Sequence, residues 1–468
     1  MQQQKNSGSS WRLVIWGSVV ALLGAGAFAA WTLRDPSAHP PGQVPLLPIH
    51  QEALREDLMV MASLDAGGLA QLLEPDAELR AFAERVTAGK SGPSARAEAV
   101  MAALHERRQR RAFVDWSRAE PRIGAPLTAA QALRATQRDG AERELYPLEL
   151  AALGVAALRS VGLPAMLAEV YAFPNEQSPV DPSGRFGYFA VVLPEDAGQH
   201  RVYDAYAGRG EPPATADLAL LNDAQAVGAA VSLRAMHALR NELDMDAADR
   251  DSSAALKLLP GSPSVHAVRA AVLLNVGHPA QKDGDAGKQA LLEAQKLRDG
   301  AAQRNNLALH ALTQQDTRGA LKELGDVLTT MPAYALAHVT RATALLIQYD
   351  FAGARAELDL AAKYDPELAV VPQMRAQLLA SEGKSEEALV EARRAVQLSP
   401  QDAGALFILA RIEHRRGLTA EVRKHALQVI ERTPAEARDD RKSQLRAVLG
   451  AEVFEAAPGG DAVVSEGG

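Results

Sequence analysis

The spacing of apolar and polar positions divides the chain into three stretches. From Leu13 to Leu33 no charged residue occurs. Those twenty-one residues, at about 1.5 Å rise each, cover roughly 31 Å, the thickness of a bilayer's hydrocarbon core. A middle stretch mixes two periods. Helical spacing predicts amphipathic helices over Ala77–Val86 and through Ala97, Val100, Met101 and Leu104, with a break at Gly89–Pro93. Residues 148–160 are apolar on nearly every side and predict a buried helix. Strand-like runs follow at Ala165–Ala172, Gly187–Leu193 and His200–Tyr206. From residue 254 to about 450 the spacing is helical.

That last stretch repeats. Pro332, Pro366, Pro400 and Pro434 are each 34 residues apart. Ala320, Ala354 and Ala388 lie twelve residues before their prolines, and Ala308, Ala342, Ala376 and Ala410 twenty-four before. Gly383 and Gly417 fall between the two helices of their units. A helix hairpin accounts for the pattern. One helix cannot bury its stripe alone, stacked pairs make a continuous core, and small residues at matched positions allow close approach. The proline ends one unit and opens the next, where its missing N–H is not needed.

This period and its small-residue frame resemble the tetratricopeptide repeat family. The resemblance implies three good repeats over 332–433, one from about 298 to 331, and a degenerate one from about 254 to 297 with an insertion near Gly277–Gly287. A polar cap runs from Ala435 to about Gly450. Arg304, His338, Pro372 and Leu406 stand where the family often has tryptophan. In the family the first helix of each repeat lines a concave groove. Carried over by frame, the inward pairs are Asn305 with Leu309, Val339 with Thr343, Gln373 with Gln377, and Phe407 with Arg411. A groove of that mixed character suits an extended peptide or helix of a protein partner.

The middle stretch is similar to the transglutaminase-like core. The match is carried by Ala157-Leu158-Arg159-Ser160-Val161-Gly162-Leu163-Pro164-Ala165, with the strands at Gly187–Pro194 and Val202–Asp204 after it. The resemblance implies a nucleophile fifteen residues before Gly162, a histidine at the start of the second strand, and an aspartate after the third. Those positions hold Pro147, Gly187 and Asp204. Leu145, Tyr146, Leu148 and Glu149 flank the first, so a small slip supplies no Ser, Thr or Cys. Acyl transfer needs a nucleophile, a base and an orienter. The expectation is therefore a domain with no catalytic residue.

Composition narrows the field further. There are no cysteines, which excludes disulfides, thiolate metal sites, thiol nucleophiles and lipoprotein-type acylation. The net charge of -8 offers no footprint for nucleic acid, and Arg107–Arg111 reads as a solvated helix face. No H-E-x-x-H, G-x-G-x-x-G, G-x-x-x-x-G-K-[ST] or G-x-S-x-G occurs. His237, Asp244, Asp246, Asp249 and Asp251 lack the glycine and distal glutamate of a calcium loop and read as a solvated helix end. His200 and Asp204 would lie about 13 Å apart on a strand, too far to pair. No metal and no cofactor are expected.

Around the apolar span, Trp11 and Trp31 take interfacial positions, and Lys5 and Arg12 precede it. This predicts a cytoplasmic N-terminus with the rest of the chain exported, periplasmic in a bacterium. Cleavage at Ala27-Phe28-Ala29 is the alternative.

The expected organisation is mainly α. Residues 1–33 form a single transmembrane anchor, 34–48 a Pro-rich linker, and 49–215 an α+β transglutaminase-like domain without catalytic residues. Residues 216–253 are connecting helices, 254–450 an α-solenoid of tetratricopeptide-type hairpins, and 451–468 a disordered tail. The expected function is a membrane-tethered, exported, non-enzymatic scaffold. A peptide- or glycan-binding cleft in the middle domain, and an enzyme of unrecognised chemistry, are the alternatives.

Overall fold

The computed structural model describes residues 69–109, 125–137, 145–173, 176–194, 200–204, 217–239, 244–275, 278, 285–400, 402–431 and 438–454, together with Thr32–Leu33. The predicted anchor as far as Trp31, the linker, the Arg107–Arg111 side chains and residues 455–468 lie outside these residues; Ala451–Phe454, expected in the disordered tail, instead form a 3-10 turn with Val453 buried among Leu445 and Leu449. Thr32 and Leu33, at the end of the apolar span, pair in extended form with Gly300 and Asp299. Among the described residues no helix is long and apolar enough to cross a membrane. The chain packs as two compact units, one reaching Pro366 and the other starting at Glu367.

The first unit opens with a short 3-10 turn at Leu69–Gln71 and helices α1 (Ala77–Thr87), α2 (Pro93–Gln109), α3 (Ala129–Gln137) and α4 (Pro147–Ser160). Asp76 caps α1, accepting from the Leu79 N–H at 2.9 Å. Gly89 and Gly92 take positive φ in the break before α2, as their sequence position predicts. Helix α4 is buried from Pro147 to Leu158. Gly154 lets it lie close on the sheet: a Cβ there would meet Val191 Cγ2 at 2.8 Å and Met101 Cε at 2.9 Å.

The sheet has four antiparallel strands in the order β3-β2-β1-β4: β1 (Met166–Ala172), β2 (Phe189–Pro194), β3 (His200–Tyr203) and β4 (Asp217–Leu221). Leu167 faces Val191 on one side and Leu221 on the other. Residues 217–221 are thus a strand, a correction to the connecting helices expected over 216–253. Only five residues long, β4 is fixed by a partner fifty positions earlier, β1, which local spacing cannot reveal.

Helices then run to the end of the described chain: α5 (Asp223–His237), α6 (Met245–Leu258), α7 (Pro263–Leu273), α8 (Asp285–Leu297), α9 (Ala301–Thr313), α10 (Thr317–Thr330), α11 (Ala335–Ile347) and α12 (Phe351–Tyr364). The second unit holds α13 (Val370–Ser381), α14 (Ser385–Leu398), α15 (Ala403–Arg415), α16 (Thr419–Glu431) and α17 (Arg438–Leu449). Successive helices pair as antiparallel hairpins. The pairing starts with α5 and α6, one hairpin before α7 and α8, which fill the repeat expected from about 254 to 297.

The alanine frame is the packing frame. Ala308, Ala342, Ala376 and Ala410 are fully buried, and so are Ala320, Ala354 and Ala388. Leu324, Leu358, Ala392 and Ala426 add a fully buried row at the same spacing. The hairpin turns also repeat. Gln315, Tyr349, Gly383 and Gly417 all take positive φ, at +65°, +64°, +78° and +72°.

Candidate functional site

Helix α4 starts where the resemblance asks for a nucleophile. Pro147 is its first residue, a place where a fixed φ suits the turn and no N–H is missed. Tyr146 caps the helix, its N–H donating to Glu149 Oε2 at 2.9 Å. Glu149 Oε1 accepts the Leu127 N–H at 2.7 Å. This buried carboxylate is fully engaged in holding backbone.

The lead into β2 faces the same place. The rings of Tyr146 and Phe186 stack with centroids 6.1 Å apart and planes 17° from parallel. Gly187 has φ +69°, and a Cβ on it would sit 2.6 Å from the Phe189 ring. No base can occupy that position without displacing the ring. Asp204 is held by Tyr188, whose hydroxyl donates to both carboxylate oxygens at 3.0 and 2.9 Å. The structure thus brings the helix start and the strand approach together, and fills the meeting point with aromatic rings. Asp204 was legible from its place after the third strand; its phenol partner Tyr188, next to Gly187, was not.

The acidic run 244–251 is structural. Asp244 caps α6, accepting from the Ala247 N–H at 2.8 Å. Asp249 pairs with Arg269 at 2.6 Å and His278 at 3.0 Å, and its carboxyl is held below the ordinary range. Asp251 is a correction to the solvated helix end: it is buried and bidentate with Arg234, at 2.7 and 3.0 Å. Among the described residues no group of acids and histidines could hold a metal.

A second polar cluster joins the sheet to the helical array. Glu169 sits mid-strand on β1, 2% exposed. Ser262, the N-cap of α7, donates to Glu169 Oε1 at 3.0 Å, and Ser264 donates to the same oxygen at 2.7 Å. The two serine hydroxyls are 2.9 Å apart. Tyr171 donates to Glu169 Oε2 at 3.3 Å. Burial pushes the Glu169 carboxyl up to about 7, against the pull of the Ser264, Ser262 and Tyr171 hydroxyls.

Asp181, on the β1–β2 connection, accepts from the N–H groups of Ser183, Phe186 and Gly187 at 2.9, 3.1 and 2.9 Å, and from the Ser183 hydroxyl at 2.8 Å. Burial raises its carboxyl as well. The same connection reaches α11: Tyr334 donates to the Pro182 carbonyl oxygen at 2.9 Å, and the Ala333 N–H to that of Gln177 at 3.2 Å. Arg298 lies 4.3 Å from the Tyr171 ring centre and pairs with Asp217 at 3.0 Å. The one sequence signal for this cluster was a glutamate inside an otherwise apolar strand.

The predicted groove positions divide by unit. In the first unit Asn305, Leu309, Val339 and Thr343 are each at most 1% exposed. Side chains so covered offer a partner no surface. In the second unit Gln373 is 5% exposed and donates to Asp402, the cap of α15, so it ties α13 to α15. Gln377, Phe407 and Arg411 are half-buried. Burial, with Arg415 nearby, lowers the Arg411 guanidinium from its usual value.

Polar pairs replace the family's tryptophan positions. Arg304 pairs with Glu323 at 3.1 Å and Asp299 at 2.6 Å. One repeat later His338 meets Glu357 at 2.7 Å and stacks on Tyr364.

No protein-family model matches the chain, and no curated protein matches it. Solved structures similar to it include a thermophilic TPR protein of Thermus thermophilus, at 18% identity over 36% of this chain and 92% of that one, TM-score 0.33. PilW, a type IV pilus biogenesis factor, matches at 18% over 47% and 93%, TM-score 0.33. PilF of Pseudomonas aeruginosa matches at 17% over 46% and 95%, TM-score 0.32. At these scores the assignment rests on the array's own geometry: hairpins with a 34-residue period, a repeating left-handed turn and a buried alanine frame. That is a tetratricopeptide-like fold.

Proposed function

We propose that the chain is a membrane-tethered, exported, non-enzymatic scaffold whose tetratricopeptide-like array recruits a protein partner. The observation that carries this reading is the unequal state of the inner face. The first unit closes its inward positions, whereas the second leaves Gln377, Phe407 and Arg411 partly open. An aromatic ring, an amide and a guanidinium on successive inner helices suit a peptide or helix with polar and apolar groups. Recruitment is therefore assigned to the second unit. The apolar span from Leu13, flanked by Lys5 and Arg12, supports the tether and export.

The middle domain is read as a transglutaminase-like core turned to support. The element order α4, turn, β1, β2, β3 accords with this, as do Pro147 and Gly187 at the positions where chemistry would sit. The Tyr146–Phe186 stack fills the place a cleft would occupy. It thereby weighs against a peptide- or glycan-binding cleft, and against an enzyme acting there.

Site-specific photo-cross-linking in intact cells tests the recruitment. Probes at Gln377 and Phe407 are expected to give one shared adduct. A probe at the outward Val390, which is 67% exposed, is expected to give none. Adducts from Val390 and none from the inner pair would overturn the reading.

A further inference from the structure

Two buried carboxylates lie near one another here: Glu169, on strand β1 where it meets helix α7, and Asp181, on the β1–β2 connection. Among the described residues neither has a cation within salt-bridge reach. Two charges in one buried region cost more than one, so they compete for ionisation. Their donors differ in kind. Asp181 is met by three backbone N–H groups, which can only donate and so demand an acceptor. Glu169 is met by Ser262, Ser264 and Tyr171 hydroxyls. A hydroxyl can donate or accept, so this network, unlike one of N–H groups, also closes around a carboxylic acid; around an anion it does not replace the hydration that burial removes.

Other ionisable groups nearby include Tyr171 on the same strand, the buried Arg185 on the β1–β2 connection, Asp217 on β4, Arg298 after α8, and Tyr334 before α11. Arg298 is engaged by Asp217, and His266 of α7 bonds instead to the Pro260 carbonyl oxygen at 3.0 Å.

We propose that this joint is proton-controlled: Asp181 carries the charge, Glu169 carries the proton, and loss of that proton to solvent loosens the first turn of α7 from the sheet. Ser262 is the pivot. It caps α7 through the Val265 N–H at 3.3 Å while bonding Glu169. A change at Glu169 is therefore felt at the start of the helix. Burial and the nearby Asp181 both favour the protonated form of Glu169. Through α7 the charge state of the strand reaches the helical array.

Hydrogen–deuterium exchange on the full chain tests this. After correction for intrinsic chemistry, the amides of 265–270 are expected to exchange at least about tenfold faster at about pH 8 than at about pH 5.5. Glu169→Gln, which keeps a neutral hydrogen-bonding group, should exchange alike at both. Asp181→Asn should retain the pH step but move its midpoint down. A pH-independent wild type, or a step that survives Glu169→Gln, overturns the proposal. If Glu169→Gln does not fold, infrared spectra of wild-type chain with labelled glutamate decide. A carboxylic-acid carbonyl band titrating near 7 supports the joint; its absence at about pH 5.5 refutes it.

Discussion

Gln315 and Tyr349 hold a left-handed backbone where Gly383 and Gly417 stand in the later repeats. A side chain there costs about 1 kcal/mol, which glycine avoids. The Gln315 side chain is exposed. Gln315→Gly should therefore raise the unfolding free energy by about 1 kcal/mol, read as a higher urea midpoint. At Tyr349 the gain would be offset by loss of the edge contact with Phe351, at 6.3 Å. A second residue-scale expectation comes from the polar pairs. Arg304 with Glu323 and His338 with Glu357 share one frame, and Glu391 continues it while Pro372 offers no cation. One oxygen of Glu391 is buried without a partner. Pro372→Arg should return the pair and stabilise the second unit by about 0.5–1 kcal/mol, read by thermal unfolding.

At the scale of elements, the approach of α4 to the sheet is the most demanding contact in the middle domain. Gly154→Ala places a methyl group against Val191 and Met101. It should cost about 1–3 kcal/mol in unfolding free energy, because both neighbours are packed. The helices and strands flanking this contact were legible in the sequence, since their periods are local: α4 is Pro147–Ser160 where 148–160 was expected, and β1 is Met166–Ala172 where Ala165–Ala172 was. The repeats were legible for the same reason, the 34-residue frame being written in prolines and alanines. What spacing could not show depends on distant partners. Strand β4 exists through β1, and helix α3 through α4, against which it packs. The closure of Asn305, Leu309, Val339 and Thr343 likewise has no local signature. That Pro147 and Gly187 stand at their positions was legible in residue identities alone; the Tyr146–Phe186 stack beside them required the fold.

For the whole molecule, Glu169 sets an acid-side stability bias. Its folded value near 7 lies above the ordinary 4.5. The unfolded chain releases the proton first as pH rises, so the stabilisation is full below about 4.5 and lost progressively up to about 7, amounting to about 3 kcal/mol. Chemical denaturation across that range should show the decline, and Glu169→Gln should flatten it. Recruitment is the larger claim, and it places binding on the inner face of the second unit rather than on the aromatic-filled middle domain. Calorimetric titration of the purified full chain with the partner identified by cross-linking tests it most directly. Phe407→Ala with Arg411→Ala, helical content unchanged, should weaken binding by at least about tenfold. An affinity equal to that of the wild type would contradict the account.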